Sequence, residues 1–138
     1  MPLQPMLVPQ RAYLEKADPT RGTWIDIRRR TYADDMARGE LLKLRTLVDM
    51  PDGGFAQKVE VNIPRVRAWE LFTTYGGCKI EIPGKDEEGK DVLLEPFTDK
   101  EQMGFRKFVE ELGNLDPDVI AEWIKMHLIV NPEWSTFF

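Results

Sequence analysis

The sequence predicts an α+β fold, with small antiparallel strands and a hairpin alongside several helices and a helical C-terminal half. Three observations predict it. Two short segments alternate apolar and polar residues at the period of a strand, Trp24-Ile25-Asp26-Ile27 and Gln57-Lys58-Val59-Glu60-Val61-Asn62-Ile63. A third stretch, residues 78–95, places Ile80 and Ile82 before a charged loop, Pro83 to Lys90, and Val92 and Leu94 after it, as a hairpin would. From residue 98 onward the pattern changes to the period of a helix, with caps and stops at each end.

The 138 residues fit one domain. The expected organisation is an extended proline-rich arm over 1–20 and a single α+β domain over 21–138. Pro2, Pro5, Pro9 and Pro19 keep the arm out of a helix and favour an extended, polyproline-like course. Met6, Leu7 and Val8 would pin it to a surface, either as a frayed end or as an arm embracing a neighbouring subunit. After the first strand, Thr31 is the N-cap of a helix with Asp34 and Asp35 in its first turn. Ala37, Leu41, Leu44 and Val48 form its apolar stripe, and Met50-Pro51-Asp52-Gly53-Gly54 ends it. Arg28-Arg29-Arg30 at the strand–helix junction would either grip phosphate or form a solvated edge that discourages strand pairing. Pro64 opens a helix over 65–75 with Val66, Trp69, Phe72 and Tyr75 on one face, closed by Gly76-Gly77.

The C-terminal helical pair has the clearest punctuation. Thr98 and Glu101 have the spacing of a capping box, and Phe105, Phe108, Val109 and Leu112 make one apolar face. Gly113 stands where a left-handed C-terminal residue is wanted. Asp116-Pro117 starts the second helix, and Asn131-Pro132 stops it. Val119, Ile120, Trp123, Ile124, Met126, Leu128, Ile129 and Val130 cover most of that helix, leaving Asp118, Glu122 and Lys125 as a polar stripe. A helix apolar nearly all round is covered on most sides, by its own domain or by a partner. The chain then runs through Trp134 to Phe137 and Phe138, aromatics that either fold back or anchor a partner.

Composition narrows the function. Residues 1–75 carry 12 basic and 10 acidic side chains and residues 76–138 carry 7 and 14, so the net charge of −5 is concentrated in the C-terminal half. An acidic half disfavours phosphate-driven nucleic-acid binding. No apolar run reaches the ~18 residues of a membrane span. A lone Cys78 excludes an intrachain disulfide and fits a reducing, cytoplasmic setting. Reactive residues are few, with one histidine (His127), one serine (Ser135) and one cysteine. Cys78 with His127 is the one available nucleophile pair. Cys78 also fits a small buried hydrophobe, and His127 a hydrogen-bonded core or interface residue. Asp86, Glu87, Glu88 and Asp91 lack the register of a calcium loop, and no Cys/His spacing fits zinc. No catalytic residue, metal or cofactor is expected. The partner-binding candidates are Val119, Ile120, Trp123, Ile124, Met126, Trp134, Phe137 and Phe138.

The order of elements resembles the tail assembly chaperones of long-tailed bacteriophages. The similar pieces are Gly22 to Arg28 followed by Thr31 and a helix, then Arg67-Ala68-Trp69-Glu70-Leu71 before Gly76-Gly77, and Trp123-Ile124 leading to Asn131-Pro132. The proline-rich arm and the charged hairpin depart from that pattern and fit a protein that stays in the particle, such as a tail, baseplate or connector subunit. The resemblance implies a small, acidic, non-enzymatic protein of the host cytoplasm. It would self-associate, keep the long tape-measure protein soluble and recruit tail tube subunits around it.

Overall fold

A computed structural model describes residues 9–20, 22–43, 45–49, 53, 55–59, 62–97 and 100–137, with only the backbone described at 45–49, 55–59 and 100–101. It is an α+β fold. Three strands, β1 (Gln10–Tyr13), β2 (Trp24–Ile27) and β5 (Tyr75–Lys79), form an antiparallel sheet in the order β1-β2-β5. Two further hairpins, β3 (Arg45–Asp49) with β4 (Phe55–Val59) and β6 (Ile82–Lys85) with β7 (Asp91–Leu94), make separate two-stranded sheets. The helices are α1 (Tyr32–Leu42), α2 (Ile63–Thr74), α3 (Lys100–Leu112) and α4 (Pro117–Val130), with a 3-10 turn at Pro132–Ser135.

The alternation of β2 is satisfied as its sequence predicts. Ile25 and Ile27 are buried, while Trp24 and Asp26 turn outward to Arg11 on β1. That guanidinium lies 3.6 Å from the Trp24 ring centroid and its Nε donates to Asp26 Oδ1 at 2.9 Å. Within the span expected to be an extended arm, residues 1–8 lie outside the described residues, Gln10–Tyr13 is β1, and Leu14 is fully buried.

Several elements differ from expectation. The helix that Thr31 caps, with a complete capping box to Asp34, ends at Leu42 rather than near Val48. Residues 45–49 are instead β3, where Thr46 and Val48 follow the strand preference of β-branched residues. Leu44 and, of the expected stop, Met50, Pro51, Asp52 and Gly54 lie outside the described residues. In place of the strand expected over 57–63 the structure has β4 at Phe55–Val59, Glu60 and Val61 lie outside the described residues, and the Asn62 side chain accepts from Arg65 N and caps α2. Its buried residues are Val66, Glu70, Leu71 and Thr74, a face rotated from the expected one, with Trp69 and Phe72 only half-buried. Gly76-Gly77 does not close α2. The helix passes directly into β5, which contains both glycines. Ile80 is buried ahead of β6, and Asp86 organises the following turn by accepting from Glu88 N and Lys90 N, both at 2.9 Å.

The helical pair is present, with one irregularity. Gly104 has φ +74° and ψ 162° inside α3, a conformation that interrupts the helix. Gly113 does not take up a left-handed conformation; the chain leaves α3 through consecutive turn hydrogen bonds instead. Thr98 lies outside the described residues. The helix α4 matches expectation from the Asp116 cap to Asn131.

An aromatic cluster forms the core between α2, α3, α4 and the sheet. Phe108 stacks on Tyr75 at 5.2 Å and meets Phe72, Phe97 and Trp123 edge-on at 5.3, 5.4 and 5.7 Å. Edge-to-face pairs at these separations add to the burial of the rings themselves. Leu14, Ile25, Ile27, Leu71 and Val130 complete the packing. Among the described residues no helix is long and apolar enough to cross a membrane.

Candidate functional site

A buried polar hub organises the other side of α2 and α4, and a surface groove opens beside it. Glu70 on α2 has 0% exposure. Its Oε2 accepts from Arg38 Nε on α1 at 2.7 Å, and its Oε1 accepts from Arg67 Nη1 at 2.6 Å. His127 Nε2 on α4 faces the same Oε1 at 3.2 Å, and Nδ1 faces Thr74 Oγ1 at 3.3 Å. Desolvation works against a charged Glu70, yet the hydrogen bonds from His127, Arg38 and Arg67 outweigh it and hold the carboxyl below its ordinary range.

The two arginines reach past Glu70 to the C-terminal segment. Arg38 Nη2 donates to Trp134 O at 3.1 Å and Thr136 O at 2.6 Å, and Arg67 donates to Trp134 O at 2.9 Å and Ser135 O at 3.3 Å. The ring of Phe137 lies over Arg67 at 4.4 Å and Arg38 at 5.4 Å. The Trp134 indole donates to Asp35 Oδ1 on α1 at 2.9 Å. Tail and helix are thus tied by backbone carbonyls that any sequence would offer, with aromatic faces adding to the hold.

The arginine triplet, expected to grip phosphate or form a solvated edge, is occupied by carboxylates of its own chain. Arg28 pairs with Asp34 at 2.6 Å, Arg29 with Glu133 at 2.8 Å, and Arg30 with Asp35. Buried Asn131 bridges the backbone, accepting from Arg30 N at 2.7 Å and donating to Arg28 O at 3.0 Å. The triplet is a seam that fastens the β2–α1 junction to the end of α4. Hydrogen bonds from Arg29 and Arg30 lower the Glu133 carboxyl to about 2.

The partner-binding candidates separate into three groups. Trp123 is fully buried at the centre of the aromatic core, and Trp134 is buried beside the hub. Val119, Ile120, Ile124 and Met126 are half-buried against the core, so the cover of α4 comes largely from its own domain. Phe137 is half-buried on the arginines, and Phe138 lies outside the described residues. Glu122, expected in the polar stripe, is buried and accepts from Lys16 N and Ala17 N at 3.0 and 2.9 Å.

Among the described residues, large exposed apolar side chains are spread over several elements, with Ile63 on α2, Leu93 and Leu94 on β7, Val109 on α3 and others on α1 and α4. Tyr32 and Met36, one turn apart on α1, are 78% and 58% exposed, and Ile129 on α4 is 65% exposed. The one buried residue of α1 is Arg38, so this helix docks through ion pairs and turns large apolar side chains outward. Positions 32, 36, 39 and 43 share one helical face. Positions 39 and 43 of that face border a groove of about 510 Å³ whose lining is largely charged, with Arg30, Asp35, Arg38, Lys43 and Glu133 beside Leu42, Trp134 and Phe137; Tyr32 and Met36 lie outside it. The sequence signal for the exposed face was the pair Tyr32 and Met36 at i, i+4, outside the stripe expected to face inward.

The nucleophile pair does not form. Both ring nitrogens of His127 face Glu70 and Thr74, and burial together with Glu95 and Asp26 pushes the Cys78 thiol up to about 12. A reactive cysteine needs the opposite shift. Among the described residues no group of three or more His, Cys, Asp and Glu side chains is placed to hold a metal ion. No protein-family model, curated protein or solved structure matches the chain.

Proposed function

We propose that the protein is a non-enzymatic assembly protein of the phage tail assembly chaperone kind, which holds an amphipathic helical segment of a longer client protein. The observation that carries this reading is the outward apolar pair of α1, Tyr32 and Met36, on the helix that also borders a groove where Trp134 and Phe137 stand among charged side chains. Helix-in-groove recognition needs apolar anchors along the partner's axis. The client would be the tape-measure protein, with tail tube subunits recruited around it in the host cytoplasm. Net negative charge would keep the loaded protein from aggregating with itself.

The second reading is a permanent subunit of the virion. The β3–β4 hairpin favours it, since among the described residues it stands as a sheet of its own, with strand edges that no other described strand pairs.

Co-expression with the products of the adjacent genes, followed by affinity purification from the soluble fraction, tests the two. Recovery of a long helical protein that is insoluble alone supports the chaperone. Recovery of a stoichiometric ring or shell component instead supports the virion subunit, and recovery of neither overturns both.

A further inference from the structure

We infer that the β3 strand is a self-association edge, at which two copies of this chain pair antiparallel about Leu47. Among the described residues β3 and β4 form a two-stranded sheet with no third strand, so each has an edge that no other described strand pairs. An isolated two-stranded hairpin is marginal in water, and an added strand completes its backbone hydrogen bonding.

The occupant follows from the residues of β3, Arg45-Thr46-Leu47-Val48-Asp49. Laid antiparallel on a second copy about Leu47, the strand sets Arg45 opposite the other copy's Asp49 and its own Asp49 opposite the other copy's Arg45. Two opposite-charge pairs then flank a central Leu47 pair, the arrangement that favours antiparallel neighbours. A parallel in-register pairing would set each charge against its like. Within the hairpin itself the register places Val59 opposite Arg45 and Phe55 opposite Asp49.

The other free edges lack this property. Paired on itself, β4 sets Lys58 opposite Ala56, and β1 sets Arg11 opposite Ala12. The edge strand β5 sets Tyr75 opposite Lys79, β6 sets Ile82 opposite Lys85, and β7 sets Asp91 opposite Leu94. Of the described strands, β3 alone is complementary in charge to a copy of itself. The resulting contact is isologous, with two-fold symmetry and a four-stranded sheet β4-β3-β3-β4 across the pair. It does not depend on the client reading, because α1 and the groove take no part in it.

Charge reversal with cross-complementation tests it. Sedimentation of the full chain, with protein up to about 1 mM because so small an interface is weak, should show a reversible dimer. Arg45→Asp and Asp49→Arg should each raise the dimer dissociation constant by about tenfold or more. An equimolar mixture of the two variants should regain wild-type association, since each mismatched charge then meets its opposite. Circular dichroism and a monomer mass in each single variant show that folding is retained. A wild type that stays monomeric, single variants that associate as well as it does, or a mixture that fails to recover would each overturn the proposal.

Discussion

Glu70 and His127, 57 residues apart in the chain, meet at 3.2 Å with no solvent exposure on either side chain. Around that contact Arg38 and Arg67 close on the same carboxylate and extend to the tail carbonyls. One carboxylate therefore joins α1, α2, α4 and the C-terminal segment, and its removal leaves two guanidinium groups without their counter-charge.

Glu70→Gln keeps the shape and discards the charge. Breaking one side of a buried ion pair costs about 3–5 kcal/mol. Urea denaturation should show a loss of that size with the slope unchanged, and limited proteolysis should cut the tail after Trp134 faster than in the wild type. A variant as stable as the wild type would mean that the hub contributes nothing.

Acid should loosen the same corner of the molecule. Glu133 is held at about 2 by Arg29 and Arg30, against 4.5 for the free side chain. Glu70 is also held low, despite desolvation, by His127, Arg38 and Arg67. Folded values below the unfolded ones mean that these carboxylates stabilise the fold above about pH 4.5 and lose that contribution as pH falls towards about 2. The denaturation midpoint should therefore fall across that window, and Glu133→Gln should flatten part of the fall. A wild-type midpoint unchanged from pH 5 to pH 2.5 would contradict the assignment.

Two glycines should respond to alanine with opposite signs. Gly104 sits at φ +74° and ψ 162°, a region that only glycine occupies easily, with open space where a Cβ would go. Gly104→Ala should destabilise by about 1–3 kcal/mol through backbone strain alone. Gly39 lies inside α1, also with open space around it, so Gly39→Ala should stabilise by about 0.5–1 kcal/mol. Thermal melts of the two variants side by side decide the matter.

The parts legible in the sequence are those fixed by local chemistry. The helix α4 could be bounded from Asp116-Pro117 and Asn131-Pro132 because caps and prolines act over a few residues. The buried pair Ile25 and Ile27 was legible from alternation alone. What stayed hidden depends on residues brought together from a distance. Glu70, Arg38 and Glu122 look like surface charges in the sequence, and only the fold shows that each is buried with a specific partner. The arginine triplet likewise acquires its meaning from Asp34, Asp35 and Glu133. The helix expected to reach Val48 misled because Leu44 and Val48 continue the helical spacing, while the strand pairing of 45–49 with 55–59 is a tertiary fact. Trp123 drew attention as an apolar helix residue, but an apolar helix is covered by whatever lies nearest, and here that is the chain's own core.

The proposed client-binding role of α1 is tested most directly by the soluble yield of a co-expressed client with Tyr32→Asp and Met36→Asp combined. Both positions are exposed, so the double variant should stay within about 1 kcal/mol of wild-type stability. If α1 holds the client, the variant keeps a native circular dichroism spectrum and no longer keeps the client in the soluble fraction. A folded double variant that recovers the client as efficiently as the wild type would contradict it.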